Sequence, residues 1–303
     1  MIHYKIFQWL FFFYMYCFLG WCFESAWVSF KSKKLVNRGF MRGPFLPLYG
    51  SGAIMMLVVS MPFRDNVWLT YFAGVIGATV LEYVTGVTME ALFKVRYWDY
   101  SNQPFNFQGH ICLTSSIAWG FLTILMTRVI HRPIEQFVLT IPARVLGYVT
   151  AVLTIYIVID FTLSFKAALD LRDILVRMQK LKEDMERMQR RLDVIIAFNN
   201  EEKEQKRQER ELSLSELSLG LKQRFASLKE NIQLRPTAYE EKVKEEVAEL
   251  RGKFSYYPDP QENYNQMLDF YKRDMIRNNP TMVSRKFKNA LDELKSIAAS
   301  RRG

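Results

Sequence analysis

The stretch IFQWLFFFYMYCFLGWCFESAWVSF, residues 6–30, carries a single charged side chain, Glu24. About 20 apolar residues in a helix suffice to cross the roughly 30 Å hydrocarbon layer of a bilayer. The stretch is too long for the core of a signal peptide, and no small-residue cleavage site follows it. It therefore predicts a transmembrane helix that is retained in the protein.

Four further apolar runs follow the first one. They cover residues 45–61, 67–93, 111–129 and 137–165. The second run is the shortest and closes at Pro62. Five spans would place the two ends of the bundle on opposite faces of the membrane.

Charge divides the chain into two unlike parts. Residues 1–165 contain 19 charged side chains, whereas residues 166–303 contain 53, and each part has a net charge of +5. This division excludes a soluble enzyme spread over the whole length. It predicts an all-α protein: a transmembrane helical bundle, a coiled-coil helical region over 166–235, and a small helical region over 236–303.

The connections between spans differ in positive charge, which sets the orientation of a membrane protein. Lys and Arg are concentrated in loop 31–52, loop 94–112 and the start of the charged half, at Lys31, Lys33, Lys34, Arg38, Arg42, Lys94, Arg96, Lys166, Arg172 and Arg177. The other side has only Lys5, Arg64, Arg128 and Arg132. We therefore expect a multi-pass protein of the bacterial plasma membrane, with its N-terminus outside and its C-terminal region in the cytoplasm.

Four carboxylates fall within predicted spans: Glu24, Glu82, Glu90 and Asp160. Each costs about 2.5–3.5 kcal/mol at the centre of a bilayer, so it must be paired, protonated or in contact with water. Glu82, Gly86 and Glu90 recur every four residues and share one helical face. Glu82 lies deepest, and two interpretations remain open for it: a bond to a neighbouring helix, or a ligand contact.

The first inner loop and the start of the second run read NRGFMRGPFLPLYGSG, residues 37–52. Four glycines and two prolines among apolar residues are not typical of a simple tether. Pro47 has no N–H to donate, and irregular backbone survives at membrane depth only where protein or water covers it. The pattern predicts a second span that begins broken or re-entrant, as in the discontinuous helices of transporters.

The second inner loop, residues 96–113, is rich in aromatic and amide side chains, so we expect it to pack against the bundle. The two loops would bring Arg38, Arg42, Arg96 and His110 to the face where Glu24 and Glu90 emerge. Some of these bases would neutralise the acids, and the others would attract anionic lipid or an anionic substrate. The candidate substrate- or lipid-binding residues are Glu24, Arg38, Arg42, Tyr49, Glu82, Glu90, Arg96, Asp99, Asn106 and His110.

Five motifs in these segments resemble one known family. They are Gly20-Trp21-x-x-Glu24-Ser25, Arg38-Gly39-Phe40-x-x-Gly43-Pro44-x-x-Pro47-x-Tyr49-Gly50, Leu81-Glu82-Tyr83-x-Thr85-Gly86-x-x-x-Glu90-x-x-Phe93, Tyr97-Trp98-Asp99-Tyr100-Ser101 and Asn106-x-x-Gly109-x-Ile111-Cys112-Leu113. In order and spacing they resemble the bacterial "putative ABC transporter type IV" family of CmpB-like permeases, over about residues 5–135. The resemblance implies the membrane subunit of a transporter and supplies no catalytic residues. Members of the family often carry Arg or Lys at the position of His110, so charge there would depend on pH in this chain.

The charged half begins with an apolar seam at Leu171, Ile174, Met178, Leu181, Met185, Met188, Leu192 and Ile195. Spacings that alternate between three and four over four heptads predict a coiled coil. A second seam at residues 214–232 would fold back on it within one chain, or residues 167–195 would bind a partner helix or a second copy. Further helices are expected at 238–254, 261–277 and 283–298. Lys and Arg alternate with acids in this half, which argues against binding of nucleic acid.

These features leave three hypotheses for the function. The first is a permease-like protein whose ATPase is a separate subunit, because no Gly-x-x-x-x-Gly-Lys-Ser/Thr loop occurs in the sequence. The second is a membrane scaffold or sensor in which the bundle binds lipid or a partner and the coiled coil mediates assembly. The third is a membrane enzyme, for which the sequence offers no catalytic constellation. The scattered Cys and His residues predict no metal site, and no cofactor is expected.

Overall fold

A computed structural model describes residues 4–199, 214–232, 238–255 and 270–300. The chain divides into two compact units. Unit 1 comprises Met1–Leu171 and Phe270–Arg285, and unit 2 comprises Arg172–Asp269 and Lys286–Gly303. The segment 270–285 thus groups with the membrane bundle, although the sequence places it far into the charged half.

The described part of the chain is built from helices. They are α1 (Ile6–Ser32), α2 (Pro47–Ser60), α3 (Val67–Phe93), α4 (Leu113–Leu125), α5 (His131–Thr140), α6 (Ala143–Asn199), α7 (Leu214–Ile232), α8 (Ala238–Ser255), α9 (Phe270–Asn278) and α10 (Lys288–Ser300). A 3₁₀ turn, Met61–Phe63, extends α2, and a π turn, Met126–Ile130, joins α4 to α5. The helical membrane bundle followed by a helical region is confirmed.

Four helices are long and apolar enough to cross a membrane: Ile6–Ser32, Val67–Phe93, Leu113–Thr140 and the first part of α6. The second predicted span is shorter. Helix α2 has 14 residues and is about 21 Å long at 1.5 Å per residue, less than the thickness of the hydrocarbon layer.

The bounds predicted for the last two spans were wrong. The sequence places a loop after residue 129, but the π turn keeps the backbone helical past Arg128 and Arg132, and the chain reverses only at Ile141 and Pro142. The last span consequently begins at Ala143 rather than at residue 137. The two arginines did not end the helix, since charged side chains near a helix end can extend to the interface.

The irregular segment 33–46 runs along α1 towards its middle. The backbone N–H of Val36 donates to Ser29 Oγ at 2.9 Å, and the N–H of Arg38 donates to Ser25 Oγ at 3.1 Å. At the far end, the N–H of Leu46 donates to the carbonyl of Cys17 at 3.0 Å. Twelve residues of α1 separate Ser29 from Cys17, about 18 Å of helix. Helix α2 therefore begins halfway along α1, as the Pro-Gly pattern predicts.

Close contact between α1 and α2 depends on two glycines. A Cβ at Gly20 would lie 2.4 Å from Tyr49 Cβ, and one at Gly50 would lie 2.3 Å from Cys17 Sγ. Side chains from α1, α2, α5 and α6, with one from the π turn, form the apolar core beside them: Phe11, Phe12, Tyr16, Ala53, Met56, Leu57, Met126, Val138 and Leu146. Helix α2 is thus held in place by packing along the side that faces α1.

Unit 2 buries the predicted seam of α6 within one chain. Its buried members include Ile174, Met178, Met185, Met188 and Leu192, together with Leu217 and Leu221 of the second seam in α7. Arg224 of α7 pairs with Asp193 of α6, and the rings of Phe225 and Phe254 join α7 to α8 at 5.7 Å. Assembly through a coiled coil stays a prediction, and the side chain of Ile195 lies outside the described residues.

The last two predicted helices differ from the observed ones. Of the helix expected at 261–277, residues 261–269 lie outside the described residues, and α9 covers Phe270–Asn278. The helix expected from residue 283 begins at Lys288 instead, because residues 279–282 form a turn and Val283 pairs with Arg96 through its backbone.

The packing of α2 makes a matched pair of substitutions informative. Gly50→Ala should destabilise the protein by about 1–3 kcal/mol, because the added methyl group meets Cys17 Sγ and the backbone oxygen of Phe13 at 2.8 Å. Gly52→Ala, in the same helix, meets nothing within 4 Å and should leave stability unchanged or slightly higher. Thermal unfolding of the purified protein in detergent measures both, and equal effects would contradict the close approach of α2 to α1.

Candidate functional site

The two motif-rich loops meet at one end of unit 1. Phe40 of loop 31–52 lies with its ring centroid 5.9 Å from that of Tyr97 in loop 94–112. The same ring is 5.5 Å from Phe93 at the end of α3 and 5.7 Å from Phe161 of α6. This aromatic contact brings the candidate residues of both loops to a common face, as the sequence predicts.

Glu24 forms the first polar cluster, next to the start of α2. Its Oε2 accepts a hydrogen bond of 2.7 Å from the hydroxyl of Tyr49, and its Oε1 lies 3.5 Å from Arg38 Nε. The Glu24 side chain remains 25% exposed. Gly20 provides the space that Tyr49 occupies. The cluster is therefore a carboxylate that is held by a phenol and an arginine but still accessible.

Glu82 forms the second cluster and is buried. Its Oε1 accepts from the Tyr100 hydroxyl at 3.1 Å, and its Oε2 accepts from Trp119 Nε1 at 3.0 Å and from Ser115 Oγ at 3.3 Å. All three donors are neutral, and two of them belong to α4. Of the two interpretations of Glu82, the structure favours a hydrogen-bonded link between helices α3 and α4 and the second inner loop.

Tyr100 of the second inner loop donates its hydroxyl hydrogen to Glu82. Burial raises the pKa of Tyr100 above its usual value, and the negative charges of Glu82 and Glu24 raise it further. The phenol therefore keeps its proton near neutral pH and remains a donor to Glu82. Its hydrogen bond fixes the second inner loop to the Glu82 cluster.

Arg96 organises the third cluster, at the end of α3. Its Nη2 lies 2.7 Å from Glu90 Oε2, and its Nη1 lies 3.3 Å from Asp99 Oδ1. His110 Nε2 approaches the same Glu90 oxygen at 3.1 Å. Gly86 makes room for that ring, since a Cβ there would lie 2.9 Å from His110 Nδ1. The predicted neutralisation of Glu90 by inner-loop bases matches this geometry.

The surroundings of His110 favour its neutral form. Burial lowers the pKa of His110, and the positive charge of Arg96 lowers it further, although Glu90 acts in the opposite direction. Burial by itself would raise the pKa of Asp99, but hydrogen bonds from Ser101 and the charge of Arg96 lower it overall. The third cluster thus has its charges on Arg96, Glu90 and Asp99.

Two other polar residues brace the loops. Asp160 of α6 accepts the backbone N–H of Gly43 at 2.8 Å, which satisfies part of the irregular segment. The Asn106 side chain donates to the carbonyls of Ser101 and Gln103 and accepts from the N–H of Gly109. These two side chains shape the backbone of the loops around the carboxylates.

Arg42 is directed away from the predicted acids. Its guanidinium lies 4.1 Å from the ring centre of Tyr271, and its Nε lies 3.8 Å from Asp274 Oδ2. Both partners belong to α9. Sequence reasoning placed Arg42 beside Glu24 and Glu90, since nothing in the loop pattern indicates a contact with a segment some 230 residues away.

A further group of contacts was missed altogether. Residues 270–285, which we call the strap, place Asn279, Thr281, Ser284 and Arg285 against the two inner loops. The sequence signal was weak, because these are ordinary polar residues outside every apolar run and outside the five motifs. Only Pro280 and the two asparagines before it mark the break that ends α9.

A family model described as "Putative ABC-transporter type IV" matches residues 11–165. The match contains every candidate residue of the three clusters and ends before the strap. No curated protein and no solved structure matches the chain.

The environment of His110 predicts a dependence of stability on pH. The folded protein holds the pKa of His110 below its unfolded value of about 6.5. As pH falls below that value, the unfolded chain takes up this proton first, so stability is lost until the folded pKa is passed. His110→Gln should remove this part of the acid destabilisation, measured as thermal unfolding between about pH 5 and about pH 8. Parallel pH profiles for the two proteins would show that His110 titrates normally.

Proposed function

Because the chain belongs to the putative ABC-transporter type IV family, we propose that it is the permease component of a transporter whose ATPase is a separate subunit. The described part of the chain has apolar helices long enough to span a membrane and a polar region at one end of unit 1. We also propose that the transport site is used from the cytoplasmic side.

The observation that supports it most is the start of α2 halfway along α1, directly beside Glu24. Discontinuous helices expose backbone groups and a helix N-terminus at membrane depth, and transporters use such breaks to build their sites. Pro47 occupies the first turn of α2, and Tyr49 in the same turn contacts Glu24. An ordinary structural helix would have no need of an irregular segment at this depth.

The residues of the site have different roles. Glu24 and Tyr49 form the accessible part, and Tyr100 links them to the buried Glu82. The positive charge of Arg38 balances the negative charge of Glu24. The cluster around Arg96 fixes the second loop, so that Tyr100 keeps its position. A substrate with polar groups would meet hydroxyl and carboxylate oxygens in this region.

The charge of the loops supports a proposed orientation and a proposed partner. Lys and Arg concentrate at the end where the clusters lie, and this supports a cytoplasmic position for loops 31–52 and 94–112 and for the charged half, in a bacterial plasma membrane. Tyr4 contacts His131 at 3.2 Å at the opposite end, which supports an N-terminus outside. A separate ATPase would dock on the cytoplasmic loops.

One observation favours the scaffold or sensor as the second candidate. Helix α6 continues without interruption from Ala143 to Asn199, so the last span and the charged half share a single helix. Such a helix transmits rotation or displacement without any transport. A second copy or a partner helix bound through residues 167–195 would then be the functional unit.

The permease is tested by the access of water to Glu24. In a variant lacking the native cysteines, Glu24→Cys should react with a membrane-impermeant charged thiosulfonate in inside-out vesicles and at least tenfold more slowly in right-side-out vesicles. Phe23→Cys is the matched control, because Phe23 is 64% exposed on the adjacent helix face that we assign to lipid. A charged reagent does not enter hydrocarbon, so this cysteine should stay unlabelled.

Labelling of neither cysteine from either side would contradict a water-filled path and favour the scaffold. The separate ATPase has its own readout. Purification of the chain from its native membrane in mild detergent should recover vanadate-sensitive ATP hydrolysis, and its absence would remove the ATPase subunit from the proposal.

A further inference from the structure

The strap is a segment that unit 2 encloses in sequence but that packs on unit 1. It comprises α9, Phe270–Asn278, and the non-helical residues 279–285, of which 279–282 form a turn. Unit 2 residues precede it, up to Asp269, and follow it from Lys286.

Asn279 is the central polar contact of the strap and is 1% exposed. Its Nδ2 donates to the carbonyl of Gly39 at 2.9 Å and to the carbonyl of Met275 at 2.9 Å. Its Oδ1 accepts from Arg38 Nη1 at 2.9 Å. One amide thus joins the first inner loop to the end of α9.

The second inner loop binds the strap through its backbone. The N–H of Arg96 donates to the carbonyl of Val283 at 2.7 Å, and the N–H of Val283 donates to the carbonyl of Arg96 at 2.9 Å. Ser284 Oγ donates to the Lys94 carbonyl at 2.6 Å, and Arg285 Nη2 donates to Ser101 Oγ at 2.8 Å. The two backbone bonds pair Arg96 with Val283 as an isolated antiparallel bridge, a short form of the backbone pairing by which proteins bind peptide segments.

Apolar side chains anchor the strap on either side of Asn279. Met282 is fully buried, and Met275 and Ile276 are nearly so. The Tyr97 hydroxyl lies 3.8 Å from Met275 Sδ. The strap therefore fills a groove with the usual features of a peptide site, namely a paired backbone, one amide clamp and apolar pockets.

Arg38 connects this groove to the candidate transport site. Its Nη1 and Nη2 are used by Asn279 and by Thr281 Oγ1 at 2.9 Å, while its Nε faces Glu24 at 3.5 Å. When the strap leaves, Nη1 of Arg38 loses its partner and Nη2 keeps the carbonyl of Tyr97, at 3.2 Å, next to an accessible carboxylate. Occupation of the groove and the charge balance at Glu24 are thus linked through a single side chain.

We propose that loops 31–52 and 94–112 form a docking groove for a peptide segment, occupied in cis by the strap, and that the strap must leave before another protein can bind the same loops. Resting on the proposed function, the competing partner is the ATPase subunit, whose docking loops the strap covers. The groove lies wholly within residues 11–165, which match the family, whereas the strap does not. The segment that occupies the groove therefore lies outside the region that matches the family.

Release of the strap is measured with a buried reporter in the full-length protein. Met282→Cys, with the exposed Cys22 replaced by serine, should react slowly with a maleimide in detergent. Adding Asn279→Ala should raise the labelling rate at least tenfold, because three hydrogen bonds are lost. Asn278→Ala is the matched control: the neighbouring asparagine is half-buried, and its side chain makes no hydrogen bond among the described residues, so the rate should change less than twofold.

A second measurement asks whether the groove accepts a segment in trans. A fluorescent synthetic peptide of residues 270–285 should bind the full-length Asn279→Ala variant and bind the wild type or Asn278→Ala at least tenfold more weakly. If Asn279→Ala does not fold, Arg285→Ala serves instead, since Arg285 is exposed at the end of the strap.

Unchanged labelling with Asn279→Ala would overturn the proposal, and so would labelling that rises without peptide binding, because the groove would then be a fixed part of the fold. Neither measurement involves an ATPase or a transported solute. The labelling and peptide experiments can therefore support strap release even if the permease proposal fails. Likewise, the permease proposal can hold even if the strap is not released, so the two failures are distinguishable.

Discussion

The hydrogen bond from the N–H of Leu46 to the carbonyl of Cys17 is the contact on which the rest of unit 1 depends. A backbone that is not helical survives at membrane depth only if its polar groups are satisfied by protein or water. Here the segment 33–46 finds its partners on α1 and on Asp160 of α6. Without that support, α2 would have to begin at the membrane surface, and Tyr49 would lie far from Glu24.

The polar clusters follow from this placement. Once α2 begins halfway along α1, Gly20 makes room for Tyr49 against Glu24, and Arg38 of the irregular segment lies beside the same carboxylate. Tyr100 extends the polar region to Glu82. Arg38 extends it in the other direction, to the strap. The described contacts thus form one connected system in which the two loops, a buried carboxylate and a distant segment share side chains.

Much of the architecture could be predicted from local sequence patterns. Apolar runs located the membrane helices, and Pro47 with its glycines located the broken start of α2. The donors to Glu82 were not predictable, because Ser115 and Trp119 lie on another helix and only packing brings them together. The strap was missed for a similar reason: hydrogen bonds between residues more than 180 positions apart, such as Ser284 with Lys94, leave no periodic signal. The continuation of the helix past Arg128 depended on a π turn that composition does not encode.

The depth of α2 is the central claim, and spin-label power saturation tests it directly. In a variant without native cysteines, single labels at Leu48, Phe18 and Leu35 would be compared in liposomes for accessibility to oxygen and to a water-soluble nickel chelate. Phe18 is 40% exposed halfway along α1, and Leu35 is 97% exposed just beyond its end. The account predicts that the depth of Leu48 matches that of Phe18. A depth of Leu48 equal to that of Leu35 would contradict it, because α2 would then start at the membrane surface.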